Sequence, residues 1–169
     1  EIELSFLEQF KDKDLQIVSA RIYRSYGRDS RDVISRWIRS LLNDEEITVF
    51  RTEGMFDYVF ADDVAEGLVR LAADPDARGV YNLGRGRARR VSEVIDILRR
   101  HFPSMTLREI DADIPYEASE ADMTRFRAQV GWQPSQDLED VSPSLIKHEE
   151  RHVESREATG PVAVLATSI

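Results

Sequence analysis

An α/β fold with parallel strand pairing is predicted by three features of the chain: apolar runs of strand length, amphipathic stretches of helical period between them, and acidic or glycine residues at the junctions. Ile2, Leu4, Phe6, Leu7 and Phe10, set among Glu, Gln and Lys, predict a half-exposed helix that begins at the first residue without a cap and reads as cut from something longer. Leu15 to Tyr23 runs rather than alternates in polarity, with Ile17, Val18, Ala20 and Ile22, as does a strand buried on both faces. From Asp32 to Leu42, Val33, Ile34, Trp37, Ile38, Leu41 and Leu42 share one helical face and the arginines another. Ile47 to Phe50 predicts a short strand. Asp63 with Glu66 three residues later has the form of a helix cap, and Val64, Leu68 and Leu71 continue at helical spacing. Val80 to Leu83 predicts a buried strand closed by Gly84, and Ser92 the cap of a helix whose apolar face is Val94, Ile95, Leu98 and Phe102. After Pro103, a strand is expected over Met105–Ile110, a helix over Asp122–Val130, and another from Leu138 to about His152, interrupted near Pro143. Residues 151–161 read as a charged linker. The apolar run 162–169 is either the truncated first strand of a further domain or a tail that frays or pairs with another copy.

Composition narrows the function classes. At 169 residues and 41% apolar content the chain buries a real core, so a disordered polypeptide is excluded. A net charge of −9 disfavours nucleic acid as a partner, despite local basic runs at Arg21–Arg39 and Arg85–Arg90. The absence of cysteine removes disulfides and thiolate metal sites and is compatible with a cytoplasmic location. No apolar run approaches the roughly 20 residues that cross a bilayer, so no membrane association is expected. His148-Glu149-Glu150-Arg151-His152 matches the spacing of a zinc-protease helix. Its charged surroundings and the lack of a third ligand further on argue against metal, and no metal site is expected.

Three segments occur in a fixed order: Ala20-Arg21-Ile22-Tyr23-Arg24-Ser25-Tyr26-Gly27, Phe56-Asp57-Tyr58-Val59-Phe60-Ala61-Asp62-Asp63-Val64, and Gly79-Val80-Tyr81-Asn82-Leu83-Gly84. A fourth, Asp122 to Pro134 with Val130-Gly131-Trp132-Gln133-Pro134 at its end, follows. Together they resemble the extended short-chain dehydrogenase/reductase family, the NAD(P)-dependent sugar-nucleotide epimerases and dehydratases, over residues 1–150. The resemblance implies the late strands of a Rossmann-like parallel sheet plus the small substrate-binding α/β domain of such an enzyme. Neither the family's glycine-rich loop nor its Tyr-x-x-x-Lys pair occurs in the chain. The chain therefore reads as the second half of an enzyme, inert alone, with NAD or NADP used by the intact parent and none expected on this piece.

The resemblance also assigns residues. Tyr23 takes the position of an aromatic that packs the nicotinamide, and Arg24 that of an Asn facing the substrate pyrophosphate. Arg24, Val33 and Phe56 fall on the substrate side. Arginine at position 24 either grips phosphate through a two-pronged contact or is a surface residue of a remodelled site. Phe56 stands where the family has a phosphate-pairing arginine, and Ile114-Pro115-Tyr116-Glu117 offers no second one. Asp62 and Asp63 look like a carboxylate pair but are expected to cap a helix, Tyr58 to pack, and Arg85, Arg87, Arg89 and Arg90 to be solvated or to hold an anion. The Asn82-Leu83-Gly84-x-Gly86 segment predicts a tight turn.

Two functions remain. One is the substrate-binding half of a sugar-nucleotide epimerase or dehydratase acting on a nucleotide-sugar or a related anion. The other is a degenerate scaffold or interaction module, favoured by Phe56. An excised half would expose strand edges and core, so self-association is expected.

Overall fold

The computed structural model describes residues 2–11, 15–110, 113 and 115–159, so the expected strand at 162–169 lies outside the described residues. Three sets of strands form. β1 (Val18–Ile22) runs parallel to β5 (Gly79–Leu83), with Val18 opposite Gly79 and Ile22 opposite Leu83. β2 (Arg24–Tyr26) is parallel to β4 (Met55–Phe60), which takes β6 (Ala88–Arg90) antiparallel on its other edge. β3 (Ile47–Val49) pairs parallel with β7 (Leu107–Glu109). Parallel neighbours require crossovers, and α2 (Val33–Leu42), α3 (Ala61–Ala73) and α4 (Val91–His101) supply them. α1 (Ile2–Gln9) precedes the strands, while α5 (Thr124–Val130) and α6 (Leu138–Thr159) follow.

The strand expected over residues 15–23 is divided at Tyr23, whose amide still donates to the Leu83 carbonyl at 3.0 Å. It is also less buried than expected, with Ile22 45% exposed. Among the described residues β1 has one strand neighbour, β5, so one edge is uncovered. α1 is tied to β1 through Glu3, which accepts from the Ser19 hydroxyl and from Arg21 Nε at 2.9 Å. Leu4 and Phe6 remain exposed.

α2 forms as its pattern dictates. Asp32 caps it, Oδ1 accepting from the amides of Ile34 at 2.8 Å and Ser35 at 3.0 Å. Ile34, Trp37, Ile38 and Leu41 are buried. The caps expected elsewhere are corrected. α3 starts at Ala61 with Phe60 preceding it and no side-chain cap, and α4 starts at Val91, where the Arg90 amide donates to Glu93 at 2.7 Å instead of to a Ser92 cap. α6 runs unbroken through Pro143. That proline lacks the amide that would bond the Glu139 carbonyl, and the Ser142 hydroxyl reaches this carbonyl at 3.4 Å.

Side-chain alternation along β4 divides the core. Phe56, Tyr58 and Phe60 enter a cluster with Ile34, Trp37, Ile38 and Leu98, and Val59 enters a second with Leu71, Tyr81, Leu83 and Phe126. Among the described residues, no helix is long and apolar enough to cross a membrane.

Candidate functional site

Asp57 is the one charged residue of β4 and is fully buried. A buried carboxylate needs donors, and it has three backbone amides: Arg85 at 2.6 Å, Gly86 at 2.9 Å and Ala121 at 3.0 Å. These bonds set the Gly84–Gly86 turn. Gly86 sits at φ 72°, and a Cβ on Gly84 would come within 2.6 Å of the Ala121 Cβ and 2.9 Å of Asp57 Oδ1. Both glycines are therefore required by the backbone.

The arginines after this turn are neither solvated nor free to hold an anion at two of their four positions. Arg89 is buried and makes a two-pronged contact with Glu139 at 2.7 and 2.6 Å, while Arg85 and Arg89 reach Asp137 at 3.2 and 3.3 Å. Partial burial pushes both carboxyls up, but the hydrogen bonds and charges of Arg85 on Asp137, and of Arg89 on both, outweigh it and leave them below the usual carboxylate range. Depressed folded pKa values mean that the stability supplied is complete above the ordinary carboxylate pKa of about 4 and is lost as pH falls through the depressed values. Thermal melts between pH 5 and pH 2.5 are expected to fall less steeply in Arg89→Gln than in the parent. Parallel curves would rule the network out as an acid-sensitive element.

Asp62 and Asp63 diverge. Asp62 pairs with Arg28, whereas Asp63, 5% exposed, accepts from the amides of Ser135 at 2.9 Å and Gln136 at 2.8 Å. The expected capping role is thus corrected, since Asp63 organises the segment leading into α6 rather than its own helix. Tyr58 is buried, and burial pushes its phenol up to about 12 even though the Arg24 charge draws it down.

Three of the residues singled out in the sequence come together. Arg24, Val33 and Phe56 line one cavity of about 230 Å³ between β2, α2 and β4. Trp37 and Tyr58 form part of its apolar wall, and Arg36, Arg51 and Glu117 add charge. The Arg24 guanidinium lies over the Phe56 ring, 3.6 Å from its centroid, and one nitrogen is 3.4 Å from Glu117. Phe56 thus carries an arginine on its face where the family carries one in its place. Tyr23 is not at this cavity; it packs, half-buried, against the second cluster. Sequence reasoning missed Arg36, Trp37 and Arg51. Trp37 was accessible, because it stands four residues after Val33 on the same helical face, whereas the polarity pattern assigned Arg36 to the other face.

Among the described residues the cavity has three guanidinium groups against one carboxylate, in a chain of net charge −9. Arg51 Nε is buried without a hydrogen-bond partner among the described residues, and its Nη1 pairs with Glu53 at 2.7 Å. Such an arrangement concentrates positive potential in an apolar-walled cleft.

A sequence model of the NAD dependent epimerase/dehydratase family matches residues 4–84. UDP-glucuronic acid decarboxylase 2 of Arabidopsis thaliana is 23% identical over 170 residues, covering 96% of this chain and 38% of that protein. dTDP-L-rhamnose 4-epimerase of Burkholderia thailandensis is 31% identical over 88 residues, covering 49% of this chain and 24% of that protein. A UDP-glucose-4-epimerase structure from Stenotrophomonas maltophila, with bound NAD and formylated UDP-arabinopyranose, superposes with a TM-score of 0.79 at 20% identity over 92% of this chain and 54% of its own. The chain thus spans about half or less of each of these proteins, and its strands and helices are those of a Rossmann-like α/β fold. The ordered motifs and the family match over residues 4–84 agree, and the superposition shows the same fold: the chain is similar to the NAD dependent epimerase/dehydratase family over that segment.

Proposed function

We propose that this chain supplies the nucleotide-sugar side of an NAD(P)-dependent sugar-nucleotide epimerase, dehydratase or decarboxylase. One observation carries the reading: the cavity bearing Arg24, Val33 and Phe56 sets three arginines around aromatic and aliphatic walls. A nucleoside diphosphate sugar pairs a flat base with two phosphates, and such a cleft offers stacking surface for the one and guanidinium forks for the other. Trp37 is a built-in reporter, since it borders the cavity and its indole Nε1 donates to the Thr48 carbonyl at 3.3 Å. Titration of the chain with UDP-glucuronic acid is expected to shift the Trp37 indole resonance and leave that of Trp132, the second tryptophan, in place. Equal movement of both, or of neither, would refute the assignment of this cavity.

The cofactor belongs to a different part of such an enzyme. This chain's residues do not fit a dinucleotide pyrophosphate, which is held by free amides of a glycine turn opening a helix. Here the Gly84–Gly86 turn leads into strand β6, and the amides of Arg85 and Gly86 are taken by Asp57. The chain alone is accordingly expected to bind neither NAD(H) nor NADP(H) tightly. A micromolar dissociation constant by calorimetry would overturn that expectation. Tyr23, on the connection between β1 and β2, is the residue of this chain proposed to face the nicotinamide in the complete enzyme, as a flat ring that excludes water.

Phe56 in place of an arginine supports a second reading, a scaffold that has kept the fold without its substrate. The same titration separates the two, because a scaffold leaves Trp37 unmoved.

A further inference from the structure

His148 and His152, four residues apart, share one face of α6. Folding supplies the third donor that the local sequence lacks, from 119 positions upstream. Asp29 lies between β2 and α2 at φ 57°, a left-handed conformation that Asp tolerates better than most residues. Its Oδ1 is 3.1 Å from Nε2 of His148 and 3.2 Å from Nε2 of His152. The imidazole centroids are 4.6 Å apart, and one ligand atom of each residue lies within 4.8 Å of the other two. A tetrahedral zinc ion with nitrogen and oxygen ligands at about 2.0–2.1 Å sets them roughly 3.3 Å from one another. Both oxygen-to-nitrogen spacings already have that length.

We propose that Asp29, His148 and His152 form a binding site for a first-row divalent cation, best suited to Zn²⁺, which fastens the later part of α6 to the loop ahead of α2. Donor chemistry selects the ion. Two imidazoles with one carboxylate suit zinc, whereas calcium and magnesium take oxygen ligands almost throughout. The chain has no cysteine to compete for it. Neighbouring cationic groups are engaged elsewhere, Arg28 with Asp62 and Arg39 with Glu149 and the Ser30 carbonyl, while Arg31 borders the same cavity. That cavity, of about 360 Å³ and lined by Asp29 and His152, leaves room for water as a fourth ligand.

The site is a structural clip and not the hydrolytic centre that its spacing imitates. In a zinc protease the glutamate after the first histidine is free to act as a base. Here Glu149 is 3% exposed and paired with Arg39 at 3.1 Å. None of the three donors lines the arginine-rich cavity, so the proposal stands apart from the reading of that cavity as a nucleotide-sugar site.

The test is calorimetric titration of the metal-free 169-residue chain with ZnCl₂, paired with thermal melts. One ion per chain is expected, with a dissociation constant of about 1–10 μM and a melting temperature raised by roughly 5–10 °C at a hundredfold excess over that constant. His152→Gln and Asp29→Asn change exposed side chains, 53% and 70% accessible, and are expected to fold as the parent does. Each is expected to weaken zinc binding by about tenfold or more. His101→Gln, at the remaining histidine, bonded to Ser142 at 2.9 Å, is expected to leave zinc binding unchanged. Affinity no tighter than millimolar in the parent, or equal binding by the His152→Gln chain, overturns the site.

Discussion

Replacing Asp57 by alanine is expected to cost about 3–5 kcal/mol, a fall in melting temperature of roughly 10 °C for a chain of this size. The magnitude follows from what the carboxylate holds. Three amides from two separate segments, Arg85 and Gly86 after β5 and Ala121 before α5, converge on this fully buried side chain. Alanine would leave all three without this charged acceptor; the buried Ala121 amide alone costs about 1–3 kcal/mol as an orphan, and the two part-buried amides lose charge-assisted bonds as well. Relaxation is limited, because Gly84 packs against both Ala121 and Asp57. Asp57→Asn is expected to be intermediate, since one amide oxygen still accepts while the NH₂ faces a donor. Asp62→Ala, at an exposed pair with Arg28, is the matched control and is expected to lie within about 0.5 kcal/mol of the parent. A loss below about 1 kcal/mol in Asp57→Ala would show that the turn is held by its glycines and not by the carboxylate.

The elements that could be read in the sequence are those whose information is local. α2 declares itself because Ile34, Trp37, Ile38 and Leu41 repeat at the helical period over one apolar face, with Asp32 in place to cap it. β4 does not, because its residues are buried toward both clusters and show no alternation in polarity. Asp57 nevertheless left a trace: an acidic residue between Phe56 and Tyr58 must either be exposed or be richly hydrogen-bonded. Nothing local announces the partner of Asp63, which lies 72 and 73 residues away, or that of His148, 119 residues away. Caps at Asp63 and Ser92 are sound local inferences that long-range bonding and an earlier helix start displaced. At the cavity, motif order located Arg24, Val33 and Phe56, but only folding added Arg51 to them.

Arg24→Asn restores the residue that the family resemblance places at this position, yet it is expected to weaken UDP-glucuronic acid binding by about one to two decades, or 1.5–3 kcal/mol. The expectation rests on the stack of Arg24 on Phe56. With its guanidinium 3.6 Å from the ring centroid and, among the described residues, one weak ion pair, to Glu117 at 3.4 Å, Arg24 stands over the residue that replaces a phosphate-pairing arginine. The aromatic face fixes the plane of the fork, so little freedom is lost when phosphate oxygens arrive. Asparagine reaches less far and carries no charge. Arg24→Lys keeps the charge but loses the planar fork, and is expected to recover only part of the affinity. Because the Arg24 side chain is 46% exposed, neither change should shift the melting temperature by more than a degree or two, which separates a binding role from a packing one. The Trp37 resonance reads the affinity. Unaltered affinity in Arg24→Asn would confine Arg24 to covering Phe56 and would leave Arg36 and Arg51 as the cationic groups of the cavity.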